Sequence, residues 1–231
     1  FGMDFYPSQG WNYGFTLQQA ELDTALGGVT RRAISINGGH TSNTTQWQSK
    51  LEWRRDTGVE HRSQWVTTNY LTHKVNESFR IAARFNYSRT RDFVLTNAGA
   101  KFIEGNLGFA WRPWNSTTWA LFGRYTYLYD VSALPQIGSN VANYDQRSQV
   151  LSLEGVYMPD DRWEFAGKLA RRSGSVRMGR LAGTWTNSDT TFASGQVRYD
   201  VGGKWHVLGE FRWLGVSHGG NRSGFLVGVD R

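Results

Sequence analysis

The chain of 231 residues has no cysteine, which excludes a disulfide scaffold and any cysteine-ligated zinc site. No stretch approaches the ~18 consecutive apolar residues of a membrane helix, so a helical membrane protein is excluded as well. HExxH, Walker A, GxGxxG and GxSxG patterns are all absent. No long Pro/Ser linker or break in composition divides residues 1–231, which read as a single domain. What is present is aromatic: 11 Trp, 10 Tyr and 13 Phe make up 15% of the chain, far too many for disorder. Yet the mean hydropathy is only −0.53. Abundant aromatics at low mean hydropathy describe a chain that is apolar by alternation. A sheet with two differently solvated faces reads this way.

The alternation is explicit. Trp163, Phe165, Gly167 and Leu169 interleave with Glu164, Ala166, Lys168 and Ala170; Phe79, Ile81, Ala83, Phe85 and Tyr87 interleave with Arg80, Ala82, Arg84 and Asn86. Period two predicts strands, and none of these segments has the three-to-four spacing of a helix. About twelve strands are expected, over 11–20, 31–40, 46–55, 62–73, 79–89, 101–112, 118–129, 147–157, 162–172, 190–200, 204–215 and 224–231. In 62–73 the pattern is least regular, because Trp65 and Leu71 fall out of phase with Val66, Thr68 and Tyr70.

Short connections at 41–45, 74–78, 113–117, 158–161 and 201–203 alternate with longer ones at 21–30, 56–61, 90–100, 130–146, 173–189 and 216–223. Short periplasmic turns and longer external loops are the rule of outer-membrane barrels, and a soluble sandwich has no reason to keep it. Each short turn is followed by an aromatic residue: Trp47, Phe79, Trp119, Trp163 and Trp205. Several strands carry a second aromatic eight residues later, as in Phe79/Tyr87, Trp119/Tyr127 and Trp205/Trp213. Eight residues at ~3.3 Å rise and roughly 40° tilt span about 20 Å, close to the ~25 Å apolar band between aromatic girdles. The expected fold is an all-β, transmembrane, antiparallel up-and-down barrel.

If the apolar face meets lipid, the other lines a lumen rich in ions: Glu52, Arg84, Glu104, Arg112, Arg124, Glu154, Glu164, Lys168, Arg198, Glu210 and Arg212. Buried charges need partners; Glu154 can face Lys168 or Glu164 on the neighbouring strand, and Glu210 can face Arg198. The set reads equally as a selective polar pore or as a self-neutralising plug. The five histidines are scattered, without a Ser or Asp partner at a recurring offset, so neither catalysis nor a metal or cofactor site is expected. The net charge of +7 collects toward the long-loop ends, at Arg31, Arg55, Arg89, Arg91, Arg171, Arg177 and Arg180. Lipid and lipopolysaccharide are the expected partners, because arginine forks bind phosphate bidentately. Nucleic acid does not suit a basic stripe that alternates with lipid-facing aromatics.

Several segments carry a resemblance. Arg31-Arg32-Ala33, Trp53-Arg54-Arg55-Asp56-Thr57-Gly58, Gln64-Trp65-Val66-Thr67-Thr68-Asn69, Arg84-Phe85-Asn86-Tyr87-Ser88 and Phe109-Ala110-Trp111-Arg112-Pro113 belong to it. So do Arg124-Tyr125-Thr126-Tyr127-Leu128, Val150-Leu151-Ser152-Leu153-Glu154-Gly155 and Glu210-Phe211-Arg212-Trp213-Leu214. Together they resemble the C-terminal outer-membrane β-barrel of large proteobacterial surface proteins, whose preceding regions carry OmpA-like or immunoglobulin-like repeats. The resemblance implies an outer-membrane location, a covalently linked extramembrane region and a role in anchoring or displaying it. The alternative is a porin-like diffusion channel for small polar solutes. Barrels of this family continue past Gly228-Val229-Asp230-Arg231 with another hairpin, so the resemblance implies about fourteen strands when complete, the last pairing the strand near Trp11–Ala20.

Overall fold

The alternating segments pair with their neighbours in the chain. A computed structural model describes residues 1–25, 27–93, 99–131, 144–178, 183–217 and 219–231. All regular structure among them is strand: β1 (Gly2–Phe5), β2 (Trp11–Thr24), β3 (Gly27–Thr41), β4 (Thr45–Gly58), β5 (Arg62–Lys74), β6 (Phe79–Asp92), β7 (Ala100–Trp111), β8 (Trp119–Val131), β9 (Tyr144–Tyr157), β10 (Trp163–Met178), β11 (Trp185–Gly202), β12 (Trp205–Val216) and β13 (Gly220–Asp230). They form one sheet in chain order, every ladder antiparallel. This is the transmembrane up-and-down β-barrel architecture, with its ladders running from β1 to β13.

The expected twelve strands are therefore thirteen. The missed one, β1, has four residues and only Met3 and Phe5 on its apolar face, too few to show a period. It pairs with Tyr13–Thr16 and so covers part of the β2 edge that was expected to receive a later strand. The strand ends also differ. β10 runs on to Met178 and β11 starts at Trp185, inside what reads as a long loop at 173–189. Likewise β2 and β3 close on one another across Thr24 and Gly27, inside 21–30. Polar residues on both faces erase the period there, while the backbone ladder continues. The asymmetry between the two ends thus lies partly in how far the strands overshoot, and less in coil length.

Residues opposed in an antiparallel ladder share a face, so the register assigns every side. Trp11, His40 and Trp47 lie in one row. Phe79, Trp111 and Leu121 lie in another, as do Trp119, Tyr157 and Phe165, and Trp163, Tyr199 and Val207. All eight expected girdle residues, Trp47, Phe79, Tyr87, Trp119, Tyr127, Trp163, Trp205 and Trp213, fall on this same face. So do Trp65 and Leu71, which resolves β5: Trp65 opposes Trp53, while Val66, Thr68 and Tyr70 turn the other way.

The molecule is inside out. Phe225 is 72% exposed, Val227 65%, Leu151 62% and Leu169 60%, whereas among the described residues the buried hydrophobics number two, Val29 and Ala33, both on the inward face of β3. Burying large side chains is worth roughly 1.5–3 kcal/mol each. A sheet that leaves its Leu, Phe and Val side chains on one surface gains that only in lipid. At the short-turn end the outward aromatics form contacts of their own: Trp119 on Tyr157 at 4.2 Å, Trp11 on His40 at 4.3 Å and Trp163 on Tyr199 at 4.4 Å between ring centroids. Trp11, Trp119 and Trp163 begin their strands and His40, Tyr157 and Tyr199 lie at or near the ends of theirs, whereas the opposite ends run on past the outer girdle.

Candidate functional site: the polar lumen

Inward positions from β4 to β10 wrap around one cavity of about 830 Å³, lined among others by Tyr70, Arg80, Phe122, Arg124, Glu154 and Lys168. A second of about 820 Å³ continues along β2 to β6, between Asn12, Lys50, Arg84 and Asn86. Ten of the eleven expected lumen ions lie at inward register positions. Arg112 does not; β7 ends at Trp111, and the exposed Arg112 sits in the short turn, where its N–H donates to the Ser78 carbonyl at 2.8 Å.

The ion pairs run along the wall. Glu52, buried, accepts from Lys50 Nζ at 2.7 Å and from Arg54, its neighbours two residues away on the same face. Glu210 accepts a fork from Arg212, with Nη2 at 2.7 Å. It does not meet Arg198: the register sets Glu210 against Gln196 and Leu226, and Arg198 against Glu164 and Leu208. Glu154 and Lys168 are directly opposed and pair at 3.3 Å, as expected. Both side chains are 47% exposed, however, so this pair is hydrated and worth ~0–1 kcal/mol. Glu104 accepts from Asn86 at 2.9 Å and Asn106 at 2.8 Å, a neutral cradle that sequence spacing did not show.

Within the larger cavity, Lys74 is held by Glu77 at 2.6 Å and Lys168 by Glu154. Arg80 and Arg124 have no carboxylate within 4.0 Å among the described residues. Elsewhere on the inward face Arg84 and Arg198 likewise have no carboxylate within 4.0 Å among the described residues, and Glu164 has no cation. No group of three or more metal-ligating side chains occurs among the described residues.

The arginines expected to meet lipopolysaccharide divide by face. Arg31 points inward and forms a fork to the buried Asp56, Nε–Oδ1 2.8 Å and Nη2–Oδ2 3.0 Å. It is unavailable to lipid. Arg177 is engaged by Asp145, Nε–Oδ2 2.9 Å, and lies 4.8 Å from the Trp185 ring. Arg180 lies outside the described residues. Arg55, Arg89, Arg91 and Arg171 do lie on the outward face and are exposed. Arg32 and Lys101 join them by register. Which of two adjacent arginines faces out depends on a one-residue phase that only the ladder fixes.

No family model matches the chain, and no curated protein matches its sequence. Solved structures do match in shape. The siderophore receptor PirA from Pseudomonas aeruginosa superposes over 97% of this chain and 41% of its own, at 9% identity and TM-score 0.58. The ferric citrate transporter FecA, unliganded, covers 95% of this chain and 40% of its own, at 10% identity and TM-score 0.52. This chain thus spans about two fifths of the length of those proteins. The shared feature is the fold of the outer-membrane β-barrel. With its lipid-facing belt between aromatic rings, the chain is built for the bacterial outer membrane.

Proposed function

We propose that this barrel is a water-filled pore for small polar solutes, with a preference for anions. The observation that supports it is the direction of the ion pairs: Lys50–Glu52–Arg54, Glu210–Arg212 and Glu154–Lys168 all join residues on one strand or on adjacent strands. At ~4.8 Å per strand and roughly 40° tilt, a cylinder closed from at least these thirteen strands has a backbone circle at least about 26 Å across. Arginines reaching in about 7 Å from both sides still leave an opening on the order of 10 Å. Side chains alone do not plug that width, whereas they do fill an eight-stranded barrel. Arg80, Arg84, Arg124 and Arg198, none paired with a carboxylate among the described residues, give the wall its sign.

Single-barrel recordings in planar bilayers test this. A steady conductance is expected, with a reversal potential displaced toward the anion in a salt gradient. Replacing Arg80 and Arg124 together by Glu should turn the selectivity to cations. A silent membrane containing folded barrel would refute the pore.

Anchoring and display of a linked extramembrane region is the second reading, supported by the family resemblance of the strand segments above. It uses the barrel as a fixed post and requires no conduction. Protease treatment of intact cells should then release a surface fragment of the full gene product while the barrel stays protected. Neither reading includes a catalytic step.

A further inference from the structure

Along the outward face, the position just beyond the last apolar residue is a cation on four strands: Ile34 is followed by Arg32 on β3, Trp53 by Arg55 on β4, Tyr87 by Arg89 and Arg91 on β6, and Ile103 by Lys101 on β7. The ladders gather these five into one patch. Arg32 stands directly opposite Arg55, and Arg89 directly opposite Lys101. Ser63 of β5 opposes both Arg55 and Arg91, placing those two on either side of its hydroxyl. Like charges directly opposed across a ladder are destabilising unless something neutralises them.

Nothing in the described chain does so. All five side chains are exposed, and none has a carboxylate within 4.0 Å among the described residues. None of their contacts is to an acid: Arg32 Nε to Gln19 Oε1 at 3.2 Å, Arg55 to His61 Nε2 at 3.4 Å, Arg91 over the Phe93 ring at 5.4 Å and Lys101 over the Tyr129 ring at 5.6 Å. Carboxylates of the same region are occupied on the other side of the sheet, Glu52 by Lys50 and Arg54, and Asp56 by Arg31 and Arg62. The outward acids at this end, Glu21 and Asp23, lie on β2 at the edge of the patch. The sheet is polarised across its thickness, with free cations on the lipid side.

We infer that the outward ends of β3–β7 form a binding site for the phosphate groups of an outer-leaflet lipid, lipopolysaccharide being the source to which the site is matched. Five strands at ~4.8 Å spacing give it a width of about 19 Å, enough for more than one phosphate. Arginine forks and the Ser63 hydroxyl supply donors. Directly below, the Trp53 and Trp65 rings, 6.5 Å apart and with Trp65 47% exposed, offer a floor for acyl chains. A soluble anion would have no use for that floor.

The test uses the full-length protein in zwitterionic micelles, titrated with purified lipopolysaccharide and scored by co-elution and by thermal midpoint. Lipopolysaccharide should bind and raise the midpoint, dephosphorylated lipopolysaccharide should bind at least about tenfold more weakly, and added salt should weaken binding. The Arg55→Gln, Arg89→Gln, Lys101→Gln triple variant should lose about tenfold or more in affinity. Arg112→Gln, an exposed cation in the short turn at the opposite end of the barrel, should not. Gel mobility with and without heating confirms that each variant is folded. If the triple variant does not fold, the three single variants are compared with Arg112→Gln in the same titration. Unchanged affinity in the substituted barrels, or salt-independent binding, overturns the inference. Equal stabilisation by inorganic phosphate at matched phosphate concentration shows a free-anion site and overturns the lipid assignment.

Discussion

A single arginine placed at three positions measures which face meets lipid and at what depth. Leu107 on β7 is outward, 58% exposed, and four residues from Trp111, the ring residue at the short-turn end. At ~3.3 Å rise and roughly 40° tilt this puts it about 10 Å into an apolar band ~20–25 Å thick, near the midplane. Leu107→Arg should therefore cost about 2–4 kcal/mol, a factor of roughly 30 to 900 in the folding equilibrium. Ile103→Arg, four residues further along the same face, lies near the outer interface and should cost ~0–1 kcal/mol. Ala166→Arg, inward and facing the lumen between Val156 and Gln196, should cost less than about 1 kcal/mol beyond any local steric adjustment. Reversible denaturant unfolding from lipid vesicles gives the three values. Equal costs at positions 107 and 166, or a greater cost at 166, would refute the assignment of faces from which the belt, the lumen and the cation patch all follow.

Orientation is tested by thiol labelling of intact cells: a cysteine at Val59, exposed in the turn after β4, should react, and one at Asp160, in a short turn, should not. Gly123 has the Phe109 ring lying over it from the opposed position, so Gly123→Val should destabilise by about 1–3 kcal/mol in the same unfolding assay. Asp145 is 1% exposed and engaged by Arg177; Asp145→Asn should cost about 3 kcal/mol locally, seen as faster proteolysis of the β9–β10 end without loss of the barrel.

Much of this fold is legible in the sequence because a membrane barrel exposes two contrasting faces, and the contrast prints a period of two. The phase of Phe79–Tyr87 or Trp163–Leu169 needs nothing beyond that. Legibility fails where the contrast does. At residues 173–178 and 185–189 polar and apolar residues are mixed on both faces, so strand cannot be told from loop, although the ladder continues through Ser175 opposite Asn187. β1 is too short to print anything. Within the lumen, residue type and face are readable but partners are not. Glu210 has Arg198 available two strand positions away and Arg212 on its own strand, and which it takes is decided by register. Arg31 and Arg32 illustrate the sharpest case, adjacent in sequence with one turned inward onto the buried Asp56 and the other on the outward face.

The strictly sequential order of the sheet also bears on how such a structure is made. Every ladder from β1 to β13 joins consecutive strands, so each pairing closes no more chain than one hairpin. Loop-closure entropy, which slows β proteins with distant pairings, is incurred in small equal steps. Assembly can advance by accretion, with each new hairpin templated on the exposed edge of the last. The same economy makes the architecture extensible: a hairpin added or removed alters the circumference and leaves the remaining ladders intact. Pore width in such a design is set by counting hairpins, without redesigning a core.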